Sequence, residues 1–220
     1  ADAGLLKSLT WTDVLRLPRV VLLAEAGSGK TFEMSERAKQ LRSEGKPAFF
    51  LPLEALDDGT ISDLLDNDEE LAFKSWRTDD QSVAWLFLDA VDELKLTQGR
   101  LDRALRRVAK EIDGCLHRVH IVVSCRPTDW RPSLDLAAMR RAFPTAPAAV
   151  PAVLSEELFL RVLRKPERAN RADDEDAEPK AVSDDTYFVV LLPLDQPQIE
   201  AFAKALGVAD VGGFVAELRR

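Results

Sequence analysis

The residues Ala24 to Thr31, AEAGSGKT, set two glycines, a lysine and a threonine in an order suited to holding a phosphate. Gly27 and Gly29 allow the backbone to fold into a nest whose N–H groups point at anionic oxygens, with Ala26 and Ser28 completing the cradle. The start of a following helix adds partial positive charge. Lys30 then reaches the β- and γ-phosphates, and Thr31 places its hydroxyl on Mg²⁺. Ala24 stands where the pattern G-x-x-x-x-G-K-[ST] has its first glycine, and is small enough to keep the turn open. A second acidic stretch, WLFLDAVDEL, places Asp89 at the carboxyl end of an apolar strand, where ligands sit in open α/β sheets. Asp89 there holds Mg²⁺, usually through water. Asp92 or Glu93 follows closely enough to orient or deprotonate an attacking water. A glycine turn with a solvated lysine would need neither a buried strand before it nor a helix after it, and both are expected here.

Positioning these residues requires a sheet. Five continuously apolar runs, Arg19–Ala24, Ala48–Leu53, Trp85–Asp89, Val119–Ser124 and Tyr187–Leu192, read as strands covered on both faces. Helical stretches alternate with them. KTFEMSERAKQLRSEGKP carries an i,i+4 Glu33–Arg37 pair and closes at Gly45 and Pro47. ISDLLDNDEELAFKSW reads as one helical stretch, and GRLDRALRRVAKEIDGCL as another with Leu101, Leu105, Val108 and Ile112 on one face. Strand and helix in alternation predict an α/β domain with right-handed crossovers.

The alternation fails after Pro127. A proline-rich and then highly charged stretch, about residues 144–185, reads as a flexible insertion. The expected division is a core over 1–194, containing that insertion, and the start of a helical lid over 195–220, with Ile199, Phe202 and Leu206 as its apolar stripe.

A formal charge of -8 argues against coating a nucleic acid. Two cysteines, Cys115 and Cys125, form no CxxC or metal-ligand pattern, which predicts a reducing, cytoplasmic setting. No apolar run approaches a membrane span of roughly 20 residues, and the opening at Ala1 reads as a segment cut from a longer protein. His117 and His120 read as surface or packing residues, Cys125 as a small buried filler, and Arg103, Arg106, Arg107 and Lys110 as a solvated helix face.

Asp89-Ala90-Val91-Asp92-Glu93 fits the form D-[GAS]-hydrophobic-D-E, and together with EAGSGKT it resembles the NACHT group of STAND P-loop ATPases. VVSCRPTDW is similar to that family's sensor 1, with Arg126 as the arginine that reads the γ-phosphate, and VLLPLDQPQIEAF is similar to its strand-plus-lid passage. The Cys-Arg-Pro-x-Asp-Trp variant looks most like bacterial antiviral STAND proteins. The resemblance implies a three-layer P-loop fold whose five-stranded parallel sheet runs 5-1-4-3-2, with Arg126 over the phosphates. It implies ATP or ADP with Mg²⁺, held by the loop Gly27–Thr31, Asp89 and a pocket edge near Pro18. It further implies a slow switch: ADP holds a closed monomer, while a sensed ligand, a foreign protein in the antiviral members, and ATP open it to self-assemble. An AAA-like motor ATPase shares both motifs, but usually puts Glu directly after the Asp, where Ala90 stands. A nucleotide-binding scaffold without turnover is a third reading, against which Lys30, Thr31, Asp89 and Glu93 are all intact.

Overall fold

The expected strands are continuous apolar runs, and in the computed structural model all five form. The structure describes residues 9–56, 58–96, 100–144, 186–192, 196–205 and 207–218. They are β1 (Arg19–Leu23), β2 (Ala48–Pro52), β3 (Ala84–Asp89), β4 (Val119–Cys125) and β5 (Thr186–Val190). All pair in parallel in the order β2-β3-β4-β1-β5, the expected order read from the opposite edge. The register sets Leu23 beside Cys125 and Pro52 beside Asp89, so the carboxyl ends of the strands finish level. Every residue of β1 is buried, as a central strand in a covered sheet requires.

Helices pack on this sheet by their apolar stripes. α1 (Trp11–Val14) precedes β1; α2 (Lys30–Ser43) follows it and buries Met34, Ala38 and Leu41. Gly45, at φ 75°, ends the α2 turn in the left-handed region that glycine enters without strain. The stretch expected as a single helix from Ile61 is two: α3 (Ile61–Leu64) and α4 (Asn67–Thr78). The break has a local cause. Thr60 and Asp66 each form a capping box with the carboxylate three residues on, so the chain starts a helix twice. α5 (Val91–Leu96) leaves β3, and α6 (Leu101–Glu111) buries Leu101, Ala104, Leu105 and Val108.

The alternation also continues past Pro127, contrary to expectation. α7 (Pro132–Ala142) follows β4, with proline in its first turn and Leu136, Ala138, Met139 and Ala142 in the core. At the amino ends of the strands two buried arginines close the loops. Arg19 donates to the carbonyls of Val119, Pro18 and Leu116, and Arg118 to those of Trp76, Ser82 and Arg77. His120 stacks on Trp85 with ring centroids 5.4 Å apart, and burial pushes its pKa down, so it is a packing residue.

The chain divides into two compact units, Ala1–Val190 and Leu191–Arg220. Within the second, α8 (Gln196–Ala205) and α9 (Val211–Leu218) bury Ala203 and Val215. Of the insertion expected at about 144–185, all but residue 144 lies outside the described residues. Among the described residues no helix is long and apolar enough to cross a membrane.

Candidate functional site

Where β1 ends, the Ala24 amide still bonds to the Cys125 carbonyl at 3.1 Å, and then the chain turns away from the sheet. Gly27 at φ 72° and Gly29 at φ 86° both adopt left-handed conformations. A Cβ at either would meet nothing within 4 Å, so it is the backbone angle that calls for glycine here. Neither glycine amide has an acceptor among the described residues, which leaves both donors open for an anion. Ala26 is exposed, and the Ser28 hydroxyl is buried without a hydrogen-bond partner among the described residues. Gly29 is the N-cap of α2, and Lys30 opens that helix with only 8% of its surface exposed.

The loop is joined to β3 by one hydrogen bond. Thr31 Oγ1 donates to Asp89 Oδ2 at 2.7 Å. The other oxygen of Asp89, itself 4% exposed, accepts from the Ser124 hydroxyl on β4. Asp89 is thus oriented by two neighbouring elements. A hydroxyl and a carboxylate are hard oxygen donors of the kind Mg²⁺ takes while keeping several waters, so the pair fits that ion.

Asp92, 2% exposed, lies against Arg126, whose Nε is 2.7 Å from Oδ2. The approach is off the hydrogen-bonding direction, so this contact is an ion pair, and neither carboxylate oxygen accepts a hydrogen bond among the described residues. Glu93 is exposed on the same turn. Partial desolvation, then repulsion from Asp89, Asp92 and Glu54, raises its pKa above the usual carboxylate range, while Lys30 opposes the shift. Glu54 was not singled out in the sequence. It stands two residues beyond the end of β2, whose last residue pairs with Asp89, and only that strand pairing makes it a neighbour of Glu93.

The structure therefore brings the Gly27–Thr31 loop together with Asp89, and Asp92 with Arg126, at the level carboxyl ends of β1, β3 and β4. It does not bring Pro18 to them. Pro18 precedes β1, and its carbonyl accepts from Ile121 at the amino end of the sheet. Five strand residues, about 16 Å at ~3.3 Å each, lie between it and the point where the chain leaves the sheet for the loop. Cys125 points into the core, and burial pushes its thiol pKa up to about 12, so it stays protonated and inert. Among the described residues no three His, Cys, Asp or Glu side chains cluster as a metal site. A cleft of about 260 Å³ beside Trp11, Arg37 and Trp85 shares no residue with the loop.

A scan against models of known protein families matches none, and a search of curated proteins finds no similar sequence.

Proposed function

We propose that this chain is a P-loop ATPase core of the NACHT type, a switch within a larger STAND signalling or antiviral defence protein of the cytoplasm. The observation that carries the reading is the 2.7 Å hydrogen bond from Thr31 to Asp89, which joins the glycine loop to the acidic strand end. In a simple surface turn, a threonine after Gly-Lys has no reason to meet the one carboxylate that ends a buried strand two positions across the sheet. In a nucleotide site it has one, because both oxygens serve the same Mg²⁺. Thr31 and Asp89 would hold that ion, which when bound would offset the negative charge of the phosphates.

The chain's own residues divide the remaining work. The open amides of the loop and Lys30 hold the phosphates. Ser124 fixes the rotamer of Asp89. Glu93 is the better placed of the two candidate bases: it is exposed and its proton affinity is raised, whereas the Asp92 carboxylate is committed to Arg126. Arg126, a third exposed while paired with Asp92, would offset charge on a γ-phosphate in the transition state. ATP and ADP are the ligands, and exchange between them would govern self-assembly of the full-length protein, with a foreign protein as the sensed ligand.

The test is calorimetric titration of ADP with Mg²⁺ into the chain and into a Lys30→Ala variant. Wild type is expected to bind, and the variant to lose affinity by at least about tenfold, through loss of a charge-assisted contact in the phosphate cradle. Equal affinity for the two would end the phosphate-binding reading.

A further inference from the structure

α5 carries Asp92 and Glu93, yet six residues make too short a helix to fix its own orientation. Two ion pairs of opposite sense hold it. Asp92 meets Arg126. One turn on, Lys95 Nζ donates to the Asp129 carbonyl at 2.6 Å and to Asp135 Oδ2. Asp135, 2% exposed, also accepts from the Arg131 amide at 2.7 Å and the Arg131 guanidinium at 3.0 Å. Arg126, Asp129, Arg131 and Asp135 all belong to the segment running from the end of β4 into α7. The segment that carries Arg126 is therefore gripped at both ends by one face of α5. α7 has its own apolar anchors in the core, so it does not need Lys95 to stay in place. What the lysine adds is a fixed relation between α5 and the Arg126 segment.

We propose that Lys95 and Asp135 are positioning residues of the phosphate site, clamping α5 to the β4–α7 segment so that Glu93 and Arg126 face one bound phosphate in a set geometry. The inference rests on the phosphate-binding reading above. Neither residue hydrogen-bonds to the Gly27–Thr31 loop, so loosening the clamp leaves ground-state binding alone and misplaces only the groups that act in the transition state. A misplacement of 1 Å costs on the order of 10²-fold in rate; with one of two ion pairs left intact, about tenfold is expected.

The experiment is single-turnover hydrolysis of γ-labelled ATP with enzyme in excess, run on wild type, Lys95→Met, Lys95→Arg and Asp135→Asn, with ADP affinity measured alongside. Lys95→Met and Asp135→Asn should lower the rate constant by about tenfold while ADP affinity stays within about twofold, and Lys95→Arg should recover most of the rate. A merely structural pair behaves differently: less protein is competent, so the amplitude falls and the rate constant holds. That result overturns the proposal, as does a wild-type rate constant in Lys95→Met. Should Asp135→Asn fail to fold, with a carboxylate that receives three donors removed, Lys95→Met at the rim of the core decides. A wild type that binds ADP but turns over no ATP also overturns the clamp. A wild type that binds no ADP overturns the phosphate-binding reading itself, and the two failures are told apart by that first titration.

Discussion

Asp89 accepts from Thr31 on one oxygen and from Ser124 on the other, so its carboxylate is held even with nothing else bound. An asparagine there keeps the shape and loses the charge. Asp89→Asn is expected to bind ADP without Mg²⁺ much as wild type does, but to lose the gain that Mg²⁺ brings; titrations with and without EDTA read this directly. Glu93 supplies a second residue-scale test. Its folded-state pKa is raised, so the ionised form is disfavoured by folding. The stability it contributes is present below the unfolded carboxylate pKa and is lost as pH rises through the higher folded value. Glu93→Gln should therefore raise the melting temperature at pH 7, where the cost of desolvating a charge and repulsion from Asp89, Asp92 and Glu54 are both removed, and the gain should shrink as pH falls through the carboxylate range. The same variant should spare ADP affinity and abolish residual ATP turnover. A loss of melting temperature at pH 7 would show that the carboxylates do not repel as described.

At the scale of elements, the strands were legible because each is a continuous apolar run, and a covered parallel strand has no other signature. Their ends were less so: β1 stops at Leu23 and β5 at Val190, since backbone pairing, not hydropathy, ends a strand. α7 is hard to read from the sequence because Leu136 and Met139 sit between a proline and two arginines, with Ala142 beyond them and prolines again soon after. The α3–α4 break was readable in principle, as Thr60–Asp63 and Asp66–Glu69 are both capping-box spacings. Removing the second cap by Asp66→Ala should cost about 1 kcal/mol in a denaturant melt; no change would mean that packing of Phe73 and Trp76 alone sets where α4 begins. The site divides in the same way. The Gly27–Thr31 loop and Asp89 announce themselves by local pattern, whereas Glu54, Ser124 and the Lys95–Asp135 pair become neighbours only through strand order, which no local window contains.

For the molecule as a whole, binding and turnover should separate. On the proposed reading the loop and Asp89 would suffice for ADP, but fast hydrolysis needs a water held in line and charge on the phosphoryl group offset from several sides. A supplied arginine is worth about 10³–10⁵ in comparable switches, so the isolated chain should turn over slower than about one per second in a phosphate-release assay. A faster monomer would favour a self-sufficient ATPase over a switch. The place of β1 in the sheet has one more consequence, for the order in which the molecule is made. Its first residue, Arg19, is partnered by Ile121 on one side and Thr186 on the other, whereas β2, β3 and β4 find one another over shorter spans. Chain leaving a ribosome thus carries the glycine loop early and completes its supporting strand last, after Val190 has emerged. Until then the Arg19–Leu23 strand has a bare edge, open to any other extended segment. A nascent chain arrested short of Thr186 should bind a holdase chaperone and no nucleotide, and one arrested well past Val190 should do the reverse.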